Sequence, residues 1–352
     1  MSKEIINNPD FSFVLNSIKQ ARKQVYKKIN KALIELYWEV GKYVSEKVNS
    51  EKWGKSVIED LSKFIIRNEP SIKGFSARNI WTMKQFYEVY KDFPKLPTVG
   101  RETNELNQKL PSLMAEISWT HNRRIMSLKT PEEREFYLNL CAKKNYSVRE
   151  LEKLINSGTY ERTMLANEKM PELIKNLPQN TDNVFKDTYV LDFLDLPTPY
   201  IEKDLQKALI NSLKDFILEL GRGFTFIGQE YRLQVGNDDF YIDLLFFHRE
   251  LQCLVAFELK TEKFKPEHMG KLEFYLEALD RDVKLPQENP SIGVLLCREK
   301  NEDVVEYALS RTLSPTLIAD YETKLIPKEL LRKKLNEFYE LIENKKLLDN
   351  DE

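Results

Sequence analysis

The sequence predicts an α + α/β chain: an all-helical N-terminal domain, then a domain in which strands and helices build a mixed sheet. Three observations carry this. Apolar residues recur at helical spacing through the first half. From residue 200 onward, short apolar runs alternate with helical segments in the order α-β-β-β-α-β, which makes a sheet flanked by helices. The charge divides as well: residues 1–165 carry 29 Lys and Arg against 20 Asp and Glu, whereas residues 166–352 carry 25 against 36. A basic half joined to an acidic half fits a nucleic-acid-gripping part attached to a metal-dependent one. A length of 352 residues, 41% of them hydrophobic, holds about two domains of ordinary size. The expected boundaries are a helical domain at 1–165, a linker at 166–195, a second domain at 196–325 and a C-terminal helix at 326–352.

The first helix runs from Phe13 to about Val48 on Val14, Ile18, Val25, Ile29, Leu33, Leu36, Tyr37 and Val40. Lys19, Arg22, Lys23, Lys27, Lys28 and Lys31 crowd its first part. Ser56-Val57-Ile58-Glu59 has the form of a capping box and opens a helix to about Arg67. Pro70 to Gly74 breaks the pattern, and a helix begins near Ser76, carrying Ile80, Met83, Phe86, Tyr87 and Tyr90 before Phe93-Pro94 stops it. This unit reads in two ways. It is a helix-turn-helix offering Lys73, Arg78, Asn79, Lys84 and Gln85 to a groove, or a plain pair of bundle helices. A polar loop follows from Pro97 to Pro111. Trp119, His121, Arg123 and Arg124 also read in two ways, as a nucleic-acid clamp or as a core Trp beside a hydrogen-bonded His. Thr130-Pro131-Glu132-Glu133 starts a helix with cap, proline and acids in order. Ser147 to Glu150 is another capping box, and Gly158 ends its helix.

In the second half a helix reaches about Gly221. Strands Phe224–Val235, Phe240–Phe247 and Leu251–Lys260 come next, then a helix from Pro266 to Leu279. Strand Ile292–Cys297, a helix from Asp303 to Arg311 and a short strand from Thr316 to Ala319 complete the sheet domain. The tail from Pro327 to Leu348 is an amphipathic helix suited to docking or oligomer packing.

The chemistry concentrates in two of these strands. Asp243 lies among Phe, Ile and Leu, where an ionised carboxylate is costly unless compensated. Glu258 and Lys260 share one strand face, with Leu259 on the other. His248-Arg249-Glu250 is a turn-length break, so the strands form an antiparallel hairpin. A turn centred between Arg249 and Glu250 places Asp243 opposite Ala256 and diagonal to Glu258, about 7–8 Å away. Two carboxylates then converge on one divalent cation with Lys260 at its edge, an arrangement suited to phosphodiester hydrolysis. The competing reading is a structural Asp243–Lys260 ion pair with a solvated Glu258. A one-residue register slip would separate the three.

Other chemistries find little support in the sequence. Gly221-Arg222-Gly223 follows a helix rather than a strand, and there is no phosphate-binding Gly-Lys-Ser/Thr run. His121, His248 and His268 are scattered. Cys141, Cys253 and Cys297 read as reduced core thiols of a cytoplasmic protein. No apolar stretch is long enough to span a bilayer, and Met1 to Ile5 lacks the layout of a secretory signal.

Several passages together carry a family resemblance: Tyr189 to Leu194, Glu219 to Phe224, Phe240 to Phe247, Phe257-Glu258-Leu259-Lys260, Phe274-Tyr275-Leu276 and Ile292 to Cys297. With them the chain resembles the PD-(D/E)xK nuclease superfamily and, within it, the bacterial YhcG-type family of helical N-terminal domain plus nuclease domain. The resemblance implies a restriction-endonuclease-like α-β-β-β-α-β C-terminal domain and a metal-dependent nuclease acting on DNA rather than RNA. It implies that Asp243, Glu258 and the Leu259 carbonyl hold Mg²⁺ or Mn²⁺ while Lys260 orients and polarises the attacking water. A further acid comes from Glu202 or Glu219, with Glu202 preferred. Lys271 stands where many relatives have Gln, and Lys271 and Tyr275 face the substrate. The partners implied are nucleic acid and, through the N-terminal domain, a second copy or another protein; no membrane is implied. The alternative is a nucleic-acid-binding or protein-interaction factor with a weak or inactive nuclease core.

Overall fold

The computed structural model describes residues 9–50, 55–92, 112–170, 172–175, 181, 183–310, 312 and 314–349. The loop expected from Pro97 to Pro111 lies outside the described residues. The chain divides into two compact units, residues 1–152 and 153–352.

The first unit is helical: α1 (Pro9–Ser50), α2 (Lys55–Asn68), α3 (Ala77–Tyr90), α4 (Ser112–Glu116), α5 (Trp119–Ile125) and α6 (Pro131–Lys144). The expected caps account for several boundaries. Ser76 accepts from the Asn79 N–H at the start of α3, and Thr130 accepts from that of Glu133 at the start of α6, where Pro131 is the first helical residue. The capping box at Ser147 is reciprocal, with Ser147 N–H donating to Glu150 at 2.7 Å and Glu150 N–H to Ser147 Oγ at 3.3 Å. It opens α7 (Val148–Asn156), and Gly158 follows in a left-handed conformation at φ 64°. Ser56, expected as a cap, is instead already inside α2.

One face of α1 buries Ile34, Tyr37, Trp38 and Val44. Gly41 lets α1 approach α3 closely, because a Cβ at that position would run into the Met83 carbonyl. Trp119 is a packing residue. Its ring meets Tyr37 and Phe86 edge-on at 4.9 and 5.2 Å, and its indole N–H donates to Asn79 Oδ1 at 2.9 Å. His121 bridges Ser118 Oγ and the Tyr146 carbonyl at 2.7 and 2.9 Å. Asn79 also donates to the Gly74 carbonyl, and Lys84 pairs with Glu88 at 2.6 Å. Two residues nominated for a groove therefore spend their polar groups on partners within the same unit.

The second unit holds α8 (Thr159–Glu168), α9 (Glu172–Lys175), β1 (Thr188–Val190), α10 (Glu202–Asn211) and α11 (Leu213–Leu220). It continues with β2 (Phe224–Val235), β3 (Asp238–His248), β4 (Cys253–Leu259), α12 (His268–Ala278), β5 (Ile292–Cys297), α13 (Glu302–Leu309), β6 (Thr316–Glu322) and α14 (Lys328–Asp349). A single π turn, Leu279–Val283, prolongs α12. The six strands form one mixed sheet in the order β1-β6-β5-β4-β3-β2, antiparallel across β2, β3 and β4 and parallel across β4, β5, β6 and β1. Leu205 and Leu209 of α10 and Phe216 of α11 pack with Leu244, Phe246, Phe257 and Leu296 in one core. Leu272, Tyr275 and Leu276 of α12 pack with Leu245, Ala256 and Leu295 in the other. Gly293 matters here, since a Cβ on it would lie 2.9 Å from the Leu272 side chain.

Two expectations are corrected. The stretch 166–195, expected as a linker, supplies strand β1 on the sheet edge, pairing Thr188 with Asp320 and Val190 with Glu322. Three residues are too few for alternation to reveal a strand. The hairpin register also moves by two residues: Leu244 faces Phe257 and Leu245 faces Ala256. Leu251 and Gln252 belong to the turn rather than to β4, with Gln252 at φ 51°. A shift of two preserves the faces, and Asp243 comes one step beyond the last ladder pair, on the level of Glu258 rather than diagonal to it.

Gly41→Ala is expected to destabilise the first unit by about 1–3 kcal/mol, despite the better helix propensity of alanine. Urea denaturation followed by circular dichroism measures this, and an unchanged midpoint would refute the tight α1–α3 crossing.

Candidate active site

The chemistry gathers where β3 parts from β4 and β4 ends, between the first turns of α10 and α12. Strand β4 is buried along its whole length, so Glu258 enters the site with no exposed side-chain surface. Two ammonium groups meet its Oε1, Lys260 at 3.0 Å and Lys271 at 2.6 Å. Its Oε2 is buried without a hydrogen-bond partner. Asp243 Oδ2 accepts from the Leu259 N–H at 2.8 Å, and the Asp243 carbonyl accepts from Gln206 Nε2 of α10 at 2.9 Å.

Lys260 ties the site together. Its N–H extends the β4–β5 pairing by donating to the Leu296 carbonyl at 2.8 Å. Its ammonium donates to Glu258, to the Leu259 carbonyl at 3.1 Å and to Glu202 of α10 at 3.2 Å. Lys271 lies 5.4 Å over the Tyr275 ring, one turn along α12.

The charges act on one another. Desolvation, then the neighbouring Glu258, pushes the Asp243 carboxyl up to about 6; the Leu259 N–H, Lys271 and Lys260 oppose this. Burial acts to lower Lys260, and the Glu258 and Glu202 carboxylates outweigh it and hold the ammonium above the ordinary lysine value. Lys271 is likewise held up, against desolvation, by Glu258 and then Asp243.

The structure thus brings Asp243, Glu258, Lys260, Glu202, Lys271 and Tyr275 to one place. The Asp243–Lys260 structural pair with a solvated Glu258 is not what forms, because Glu258 is the buried partner of Lys260. Glu202 does not join the other two carboxylates as a common ligand set, since it reaches the centre through Lys260. Among the described residues no group of three or more His, Cys, Asp or Glu is placed to hold a metal ion. The donors that do fit a hard divalent cation are Asp243, Glu258 with its unpartnered Oε2, and the Leu259 carbonyl.

Glu219, the other nominated acid, lies elsewhere. It accepts from the Val190 N–H at 2.9 Å and pairs with the buried Arg162 and with Lys186, as a structural anchor of β1. Desolvation works to raise Glu219, but Arg162 and Lys186 bring it below the ordinary carboxylate range. His268 faces Glu262 at 3.1 Å, and His248 accepts from the Leu251 N–H in the turn. A cavity of about 550 Å³ lined by Lys169, Asp187, Lys300, Leu317 and Phe338 contains none of the site residues. The residue that sequence reasoning missed is Gln206; its signal was a position one helical turn after Glu202, on the same face of α10.

Comparisons with known proteins bear on this arrangement. Residues 182–336 match the family described as the YhcG PDDEXK nuclease domain, and residues 14–162 match the DUF1016 N-terminal domain. The chain is 32% identical over 335 residues, 89% of each chain, to the Escherichia coli (strain K12) protein named "Putative nuclease YhcG". Among solved structures, a repair endonuclease from Pyrococcus abyssi matches at 15% identity over 36% of this chain and 49% of that one, with a TM-score of 0.26. A complex of EndoMS with double-stranded DNA matches at 16% identity over 34% and 44%, with a TM-score of 0.22. Among the described residues no helix is long and apolar enough to cross a membrane.

The raised Asp243 carboxyl has a consequence for stability. A carboxyl that titrates near 6 when folded and near about 3.9 when unfolded takes up more protons in the folded state between those values. Its contribution therefore falls as pH rises through that window and is fully unfavourable above it. Asp243→Asn removes the penalty. In chelator-treated protein it is expected to raise stability by about 1–3 kcal/mol at pH 8 and to leave it nearly unchanged at pH 4. Denaturant melts at the two pH values check this; equal effects at both would show that Asp243 is not desolvated beside Glu258.

Proposed function

The chain belongs to the YhcG family of PDDEXK nucleases, and on that premise we propose that it hydrolyses phosphodiester bonds, in DNA by preference, with a divalent metal ion as cofactor. The observation that carries this reading is the buried Glu258, with one oxygen unpartnered, beside the desolvated Asp243. Asp243, Glu258 and the Leu259 carbonyl would hold Mg²⁺ or Mn²⁺, which supplies positive charge at the phosphoryl oxygens and acidifies bound water.

The residues of this chain do the rest. Lys260 is held as an ammonium between Glu258 and Glu202, so it serves as a hydrogen-bond donor rather than as a general base. It orients the attacking water and stabilises negative charge developing at phosphorus. Glu202 fixes the direction of Lys260. Gln206 fixes the backbone of Asp243 and thereby its carboxylate. Lys271, on the first turn of α12 and half exposed, takes a phosphate oxygen of the substrate, with Tyr275 beneath it. Glu258 is bound by both lysines, so the negative charge of the site is already partly screened when a polyanionic substrate approaches.

Cleavage of single- and double-stranded DNA and RNA, with Mg²⁺ or Mn²⁺, tests this reading. Activity is expected on DNA, to be abolished by EDTA, and to fall about 10²–10⁴-fold in Asp243→Ala and Lys260→Ala. Glu202→Gln, which weakens only the positioning of Lys260, is expected to cost about 10–100-fold. Cleavage that survives EDTA and Asp243→Ala unchanged would refute the reading, and equal rates on RNA would refute the substrate preference.

A further inference from the structure

Helix α1 carries two apolar faces. Asn30, Ile34, Tyr37, Gly41 and Val44 recur four, three, four and three residues apart. They form the covered face, where Asn30 donates to the Ala115 and Ile117 carbonyls and Ile34, Tyr37 and Val44 are buried. The second face lies about 100° around the helix. It consists of Phe11, Leu15, Ile18, Val25, Ile29 and Leu36, which are 56, 51, 48, 53, 60 and 45% exposed. A surface helix needs one apolar stripe, and a second left half in water marks an interaction surface.

The spacing of this second face says what covers it. Positions 11, 15, 18, 22, 25, 29, 32 and 36 alternate by four and three, the 3.5-residue period of a coiled-coil seam, sustained for about 39 Å of helix. Only Arg22 and Ala32 depart from large apolar residues. We infer that this seam is a self-association surface on which a second copy of the chain packs, the two α1 helices running antiparallel with residue numbers summing to 47 face to face.

Three physical points fix that occupant and its direction. A parallel, in-register pair sets Arg22 against Arg22, which costs like-charge repulsion in a desolvated layer. The antiparallel pair sets Arg22 against Val25, where the guanidinium reaches solvent past the stem. The other layers are then complementary in size: Phe11 on Leu36, Leu15 on Ala32 and Ile18 on Ile29. On the flanks Lys19 lies beside Tyr26 and Val14 beside Glu35, so no like charges are opposed. Phe11, Leu15, Ile18, Val25, Ile29 and Leu36, each 45–60% exposed in the single chain, are covered together by such a pair along the whole seam.

Sedimentation equilibrium of the full chain tests the proposal. The wild-type protein is expected to be a dimer at micromolar concentration. Ile18→Glu and Ile29→Lys, each placing one charge in an apolar layer, are expected to weaken it about 100-fold. Both sites are exposed in the single chain, so helicity by circular dichroism is expected to stay unchanged. The double variant Ile18→Glu/Ile29→Lys is expected to regain the dimer, because only the antiparallel pairing sets the two opposite charges face to face. A wild-type protein monomeric up to about 100 µM, or single variants as dimeric as wild type, would overturn self-association through this face. A double variant that stays monomeric would overturn the antiparallel pairing.

Discussion

A carboxylate stripped of water must be met by positive charge or give up its own, and the second unit is organised around that requirement at Glu258. Burial of all seven residues of β4 removes the residue from solvent. What meets it comes from separate elements. Lys260 follows two residues later, where β4 leaves the sheet, and Lys271 arrives on α12. Each is placed by packing. Leu205 and Leu209 seat α10 under the sheet so that Glu202 reaches Lys260 beyond the end of β4 and Gln206 reaches Asp243 in β3, and the close approach at Gly293 seats α12 on the other side. The site is therefore a product of two cores rather than of one loop.

How much of this the sequence displays depends on how local the cause is. Strands β2 and β5 stand at the residues read from the pattern, because each is a bounded run, β2 half-buried along its length and β5 apolar and buried at every position. Asp243, Glu258 and Lys260 were legible for a similar reason: strand parity survives a register shift of two. The register itself was not legible, because nothing in His248 to Gln252 marks Leu251 and Gln252 as turn residues; that follows from Leu251 sinking into the core and Gln252 taking φ 51°. The choice between Glu202 and Glu219 was also beyond a local reading. Both are helix glutamates, and what separates them is a contact with Lys260 in one case and with Arg162, 57 residues upstream, in the other.

Periodicity carries a related ambiguity in α1. The apolar residues from Val14 to Val40 look like one helical stripe, yet Tyr37 turns inward with Ile34 while Ile18, Ile29 and Leu36 stay in water. A repeat reveals that a helix is amphipathic; only its neighbours reveal which of two stripes they have covered.

Arg162 has a consequence for where the two matched segments divide. It is the last residue of the segment matching the DUF1016 N-terminal domain, and its guanidinium is buried against Glu219 and the Thr188 carbonyl in the nuclease half. The two matched segments thus meet at a shared electrostatic rivet rather than at a hinge of indifferent sequence. Loss of the Arg162 guanidinium would leave Glu219 in the interior with Lys186 as its counter-ion among the described residues. Helix α8 therefore folds with the sheet-bearing unit, and the boundary between the two compact units lies upstream of it.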